Sequence, residues 1–390
     1  MNAAATLEPV LEWRMPDAVL QAARAAAADV DHAARFPHEA FAALKQAKLL
    51  GALVPKSLGG LGLTLTQVAG QCQALAGVCG SAGMVLAMHH IQVASLVRHA
   101  IRQPWHRAFL ERVCRDQLLL ASATSEVDIG GGLRTSICAV ERKSGRFVVE
   151  KKASAVSYAE AADALMLTAR AHPDAVAGDQ ALVVLEGEGL KLHPRESWDA
   201  MGMRGTCSGA FLVEGEGDEA QVFETPFSDV AAQSMVPISH ILWGSVWTGI
   251  AGDAVLRARA CLRSRMKAGV SDLPNGTQRL VEAVEVLQLA EARVRCALAD
   301  LDWDRPTPAG FALAASHNAL KTSVSEACLF AAQEALAICG FAGYAREGEY
   351  SVARHVRDLT SAPLMIGNGR MRESAARLIL AQRPVLGVAP

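Results

Sequence analysis

The sequence predicts an α+β protein in three consecutive parts: helices, then strands, then helices again. Three observations carry this. Up to residue 117 the chain is Ala-rich, with apolar residues at helical spacing. Between 118 and 229 it breaks into short apolar or alternating runs separated by turn residues. From 230 onward long helical runs return, interrupted at Asn275-Gly276 and at Pro306 and Pro308. The parts are placed at 1–117, 118–229 and 230–390, and a chain of 390 residues is long enough to give each its own core.

Hydrophobic residues make up 51% of the chain, charged residues 20%, and the net charge is -2. That profile fits a globular protein with large interior or inter-subunit surfaces. Without a basic excess or a long basic stripe, no nucleic-acid partner is expected. The nine cysteines stand singly, with no CxxC pair and no metal-ligand spacing. They read as buried thiols in a reducing compartment, and no metal is expected. Glu8 and Glu12 at the N-terminus argue against a signal peptide. No segment is expected to cross a membrane, and a cytoplasmic location is the default.

Taken in order, Pro16 to Leu50 reads as helix, interrupted near Phe36-Pro37 and restarted at His38. Pro55 with Gly59, Gly60 and Gly62 marks a loop. Leu65 to Leu96 is helical and carries His89-His90 on an apolar background. A helix histidine bonded to a backbone carbonyl is the plainer account of this pair; a catalytic role is the sharper one. Leu118 to Thr124 is a buried strand ending in hydroxyls, and residues 125–132 form a loop. Leu133 to Val140, Arg146 to Glu150, Leu165 to Ala169, Ala181 to Leu185 and Gly209 to Val213 are strands. Helix resumes from Ile238. Val246 to Lys267 is amphipathic, with Gly249 and Gly252 allowing close helix approach. Thr277 to Asp300 and Phe311 to Ala337 follow.

Near the C-terminus lies the stretch Arg357-Asp358-Leu359-Thr360-Ser361-Ala362-Pro363-Leu364-Met365-Ile366-Gly367-Asn368-Gly369-Arg370. Pro363 breaks a helical run. Gly367 and Gly369 allow a tight turn before a helix from Met371 to Leu380. A Gly-rich turn opening a helix can present backbone amides to an anion or cofactor.

That stretch, together with Ala335 to Tyr344, resembles the C-terminal signature of the acyl-CoA dehydrogenase superfamily. Two further segments are similar: the Pro55 to Gly62 loop, and Met201-Gly202-Met203-Arg204. The resemblance covers essentially the whole chain. It implies an N-terminal helical domain, a middle β-barrel and a C-terminal four-helix bundle that associates as a homodimer or homotetramer. In that family a glutamate just before the first glycine of the turn removes the α-proton of an acyl thioester, while hydride passes to a flavin. Here Ile366 stands at that position, and an aliphatic side chain accepts no proton. The family's alternative position for the base matches Ser239, beside His240.

The resemblance also implies FAD between the β-domain and the bundle. Thr124 and Ser157 are its candidate flavin contacts, with Ala155 replacing a usual aromatic. Arg265, with Lys267, matches an Arg-x-x-Phe-Gly diphosphate element that here has lost its phenylalanine. Gly340 remains of a Gln-x-x-Gly-Gly turn. Asn368 and Arg370 match positions near the adenosine half. Ser239, Met365 and Gly367 are candidate substrate contacts, and His240, His89 and His90 are the candidate bases.

Three readings follow from the lost glutamate. The first is a flavin oxidoreductase acting on acyl-CoA or a carrier-bound acyl thioester with a non-standard base, passing electrons to an electron-transfer flavoprotein. The second is a monooxygenase or oxidase on the same scaffold, using O2 and flavin from a reductase. The third is a non-catalytic acyl-CoA-binding or partner subunit.

Overall fold

The computed structural model describes residues 14–130, 132–268, 275–305 and 310–381. The expected turns at Pro306 and Pro308, and Gly131, Gly269, Glu8 and Glu12, lie outside the described residues. The chain opens with α1 (Asp17–Ala33), α2 (His38–Gln46), α3 (Leu65–Ala76), α4 (Gly80–His99) and α5 (Pro104–Asp116). Among the described residues seven strands follow: β1 (Leu120–Ala123), β2 (Glu141–Lys143), β3 (Arg146–Ala153), β4 (Ala164–Arg170), β5 (Gln180–Glu186), β6 (Leu190–Glu196) and β7 (Ala210–Asp218). The last part holds α6 (Phe227–Val230), α7 (Val236–Lys267), α8 (Thr277–Asp300), α9 (Phe311–Cys339), α10 (Phe341–Tyr344), α11 (Ala353–Thr360) and α12 (Asn368–Leu380).

The middle part is two small sheets. One is three-stranded, in the order β1-β4-β5, with β1 and β4 parallel; the other is antiparallel, in the order β2-β3-β7-β6. β3 alternates exposed and buried, as a strand with one wet face must. β4 is buried almost throughout, which explains its unbroken apolar run. The sheets meet where Leu185 of β5 fills the space above Gly215 of β7.

The segment Leu133 to Val140, expected as a strand, forms no strand. A buried carboxylate organises it instead. Glu126 accepts hydrogen bonds from Ser136 Oγ (2.6 Å), Ile137 N (3.0 Å) and Cys138 N (2.8 Å). Backbone donors bonded to a side chain are not available for a ladder. β2, β6 and α5 go beyond what the sequence predicts; β6 carries Pro194 and is largely exposed, so its pattern is weak. The run from Leu65 to Leu96 is two helices, because the chain turns at Gly77 to Cys79.

α7 is the spine of the molecule. Between Pro237 and Ala251 nearly every residue is buried, because α3 and α4 cover one side and α8 and α9 the other. Only beyond Ala254 does the burial become one-sided, at Val255, Ala258, Cys261 and Leu262. Gly249 is where α3 crosses: a Cβ there would lie 2.1 Å from the carbonyl oxygen of Gln73. A Cβ on Gly252 would meet nothing described within 4 Å, so that glycine plays no part in the approach. α4 is long and apolar enough, by length and composition, to cross a membrane, contrary to the expectation that no segment would be. Its residues are almost all buried inside the protein, and that burial accounts for their apolar character.

Candidate functional site

The C-terminal stretch divides at Pro363. Its first half closes a joint between all three parts of the chain. Asp358, buried on α11, accepts a hydrogen bond from Met203 N at 2.6 Å. Burial raises its carboxyl to about 6. Arg357 pairs with Asp31 of α1, with Nη1 2.9 Å from Oδ1, and donates to Met201 O at 2.8 Å. Arg204 donates to Asp31 O at 2.7 Å, and Gly205 N to Ser81 Oγ at 3.1 Å. A Cβ on Gly202 would lie 2.1 Å from Arg357 O, so only glycine lets the loop approach α11. The Met-Gly-x-Arg turn and the Arg-Asp pair are therefore one structural device.

The second half turns outward. Ile366 sits at φ 60°, in the left-handed region that β-branched residues avoid, and is 41% exposed. Met365 and Gly367 flank it half-buried, with Gly367 also left-handed. Asn368 opens α12 but points into the bundle. It accepts from Lys321 Nζ at 2.7 Å and donates to Ser325 Oγ at 3.1 Å and Glu326 Oε1 at 3.0 Å. Arg370 is exposed and reaches across to the carbonyl of Gly130.

The two expected flavin-facing segments come together. Ser125 Oγ donates to Ala155 O at 2.7 Å and accepts from Ala155 N at 3.1 Å. That bond ties the loop after β1 to the segment carrying Ser157. Thr124 is half-buried next to the tie, and none of the described hydrogen bonds involves it. Ser157 Oγ lies 2.8 Å from Ser208 Oγ, which lies 2.8 Å from Thr206 Oγ1. Thr206 in turn donates to Met203 O at 2.8 Å, linking this row of hydroxyls to the Asp358 joint. The two anion elements also meet: Arg265 Nη2 donates to Cys339 O at 3.4 Å, beside Gly340 in a positive-φ conformation. Lys267 is exposed at the end of α7.

The candidate bases fare differently from one another. His89 Nε2 lies 2.8 Å from Leu50 O, and its Nδ1 accepts from Leu120 N at 3.1 Å. Both nitrogens are thus occupied in a neutral ring, and burial lowers its pKa to about 4. His90 is fully buried, stacked edge-on against His89 at 4.9 Å, and neither ring nitrogen has a partner. Burial, then the neighbouring His89, pushes it well below the usual histidine range. His240 donates from Nδ1 to His317 O at 3.0 Å, and burial brings it to about 3. Ser239 donates back to Met235 O at 2.5 Å, where residues 231–235 form a π-turn leading into α7. Arg98 and His99 hold that turn through Ser234 Oγ, each at 2.7 Å.

Sequence reasoning missed Lys321 and Asp31, each the buried or half-buried partner of a residue it had singled out. Lys321 could have been flagged as a lone lysine in an apolar helix. Asp31 carried no signal, because its partner lies 326 positions away.

The order is helices, two packed sheets and a helical bundle, with the Thr206–Ser208–Ser157 row of hydroxyls beside the joint. Two family profiles match: "Acyl-CoA dehydrogenase, N-terminal domain" over residues 16–117 and "Acyl-CoA dehydrogenase, C-terminal domain" over residues 231–380. The chain belongs to the acyl-CoA dehydrogenase superfamily and is a flavin-dependent oxidoreductase. Among curated relatives, cyclohex-1-ene-1-carbonyl-CoA dehydrogenase of Syntrophus aciditrophicus (strain SB) is 24% identical, over 88% of this chain and 83% of its own length. The amino sugar nitrososynthase DnmZ of Streptomyces peucetius is 28% identical, over 89% of this chain and 86% of its own. Among solved structures, FMN-bound TdsC, a dibenzothiophene monooxygenase from Paenibacillus sp. A11-2, superposes with a TM-score of 0.82. It is 20% identical, covering 94% of this chain and 98% of that one.

Proposed function

We propose that this protein is a flavin-dependent monooxygenase that takes its oxidant from O2, rather than a dehydrogenase of acyl thioesters. The observation that carries this is the absence of a competent base among the described residues of the candidate site. Position 366 is aliphatic, Ser239 is bonded to its own helix, and His89 has both nitrogens engaged. Burial brings His240 to about 3 and, with the neighbouring His89, holds His90 well below the usual histidine range. A base that weak takes an α-proton inefficiently at neutral pH, because useful general bases lie near the working pH. Bound reduced flavin supplies the electrons that activate O2, so no α-proton need leave. Both the nitrososynthase and the TdsC likenesses support this reading; the CoA-dehydrogenase relative supports the other.

The residues divide the work in this reading. Thr124, with its uncommitted hydroxyl, and Ser157, at the end of the Ser208–Thr206 row, hydrogen-bond the flavin ring. Arg265 and Gly340 hold its phosphate, a guanidinium fork suiting that anion. Met365 and Ile366 give the substrate side its apolar character. The flavin that fits best is FMN, in place of the FAD that the resemblance implies. Asn368, expected near the adenosine half, is spent inside the bundle, and the glutamine and phenylalanine of the diphosphate elements are missing. Association as a homodimer or homotetramer would bring Arg265 and Lys267 to a neighbouring subunit's flavin.

The test is O2 uptake by the purified protein with FMN and a flavin reductase, set against anaerobic titration with acyl-CoA esters. The oxygenase reading predicts that substrate-dependent product carries an oxygen atom from 18O2, and that acyl-CoA leaves the oxidised flavin spectrum unchanged. Bleaching of bound oxidised flavin by an acyl-CoA ester, without O2, would overturn it. Ile366→Glu sharpens the contrast, since it returns a carboxylate to the family's base position.

A further inference from the structure

The bundle holds a lysine where burial ordinarily forbids one. Lys321, on α9, is fully buried. An ammonium taken out of water needs partners to offset its lost hydration. Its Nζ donates to Ala362 O at 3.1 Å and to Asn368 Oδ1 at 2.7 Å, and lies 5.8 Å from the centre of the Trp247 ring. Those two acceptors bracket the turn that carries Ile366. Ala362 immediately precedes Pro363, and Asn368 immediately follows Gly367. One amino group therefore ties both ends of the segment 363–367 to the bundle interior.

The segment needs such an anchor. Leu364 is 74% exposed and Ile366 41%, so the outer side of the turn is held by little packing. Its own bonds are local, from Met365 N to Ser361 O, Gly367 N to Leu364 O and Asn368 N to Pro363 O, each 3.0 Å. Ile366 also holds an unfavourable backbone conformation, which persists only where the surroundings over-determine it. Asn368 completes the anchor: its amide nitrogen donates to Glu326, which Arg372 pairs at 2.6 Å.

We propose that Lys321 is the positioning residue of the candidate site: from inside the bundle it fixes the 363–367 turn, and so the direction of the side chain at position 366. It touches neither substrate nor cofactor. Burial lowers Lys321 to about 8, so the group is charged at neutral pH and all three of its N–H bonds are available. The assignment rests on the reading that position 366 faces the reacting centre.

The experiment pairs amide hydrogen exchange with the visible spectrum of bound FMN. Lys321→Met removes the donors and keeps most of the stem's volume. The expected result is exchange at least about tenfold faster through residues 363–370, with α4 and β5 unchanged. The flavin bands of the variant then move toward those of the free cofactor. A lysine that only stabilises the bundle would lower the unfolding midpoint and leave those bands in place. Should Lys321→Met fail to fold, Asn368→Leu removes one of the two anchors and must show the same local acceleration. Unchanged exchange through 363–370 in whichever variant folds overturns the proposal. If the wild type itself leaves the bands of FMN unperturbed, the functional reading fails, and the exchange measurement still decides the role of Lys321.

Discussion

Arg357-Asp358 and Met365 to Arg370 belong to one short signature, yet they behave as opposites. The first pair points inward, and its polar groups meet partners from the other two parts of the chain. The second group is half-exposed around Ile366, strained there, and anchored from behind by Lys321, with Arg370 reaching across to the carbonyl of Gly130. The same motif thus contains a joint and a site. A joint is specified by contacts already present, so a substitution there registers as lost stability. A site is specified by a ligand that comes and goes, so a substitution there registers mainly in binding and turnover.

The sharpest way to break this comparison is at Gly202. Its Cβ would overlap Arg357 O at 2.1 Å, and backbone cannot yield as a side-chain tip can. Gly202→Ala is expected to cost about 3 kcal/mol or more, the upper end of overpacking costs, because the contact is with backbone. Chemical denaturation reads it directly. A loss under about 1 kcal/mol would mean that the loop and α11 are not in contact as described.

Asp358→Ala comes next, at about 1–3 kcal/mol, because it leaves Met203 N unsatisfied in a buried place. Its pH dependence is diagnostic. The folded pKa, about 6, lies above the ordinary carboxyl value of 3.8. The contribution is therefore fully present below about 4 and is lost as pH rises through 6. A carboxyl raised that far above its ordinary value corresponds to about 3 kcal/mol. The wild-type advantage over Asp358→Ala should thus be greatest below about pH 4, fall between 4 and 6, and level off above 6. Unfolding free energies measured at several pH values check the sign. A gap that widens with rising pH would show that Asp358 is favoured as the carboxylate.

These contrasts also explain what the sequence made legible. The α, β, α order was readable because long apolar runs at helical spacing and short runs between turns are local signals. Ile366 was legible as a departure for the same reason: it is one position in a recognisable turn. The partners were not. Asp31 and Lys321 lie far along the chain from Arg357 and Asn368, and nothing local announces a contact across that distance. Leu133 to Val140 misled because alternation implies a strand only when the backbone donors are free, and Glu126 takes two of them. Asn368 was legible only as a motif position that fits a ligand contact; the inward turn of its side chain toward a buried cation was not.

The smallest effect is expected at the site itself. Ile366 holds φ 60°, which costs an L-residue about 1–2 kcal/mol, while its side chain is 41% exposed and packs little. Ile366→Gly removes that strain and loses about 0.5–1 kcal/mol to the greater freedom of glycine in the unfolded chain. The net expectation is a gain of about 0.5–1 kcal/mol, against the losses predicted at the joint. Thermal unfolding in the absence of flavin, with Ile366→Ala as a control that keeps the strain, separates the two effects. Ile366→Gly should exceed both Ile366→Ala and the wild type. If instead it falls below Ile366→Ala, the turn is not strained at this position. The joint and the site would then differ only in burial, and not in the strain that marks a turn held for a ligand.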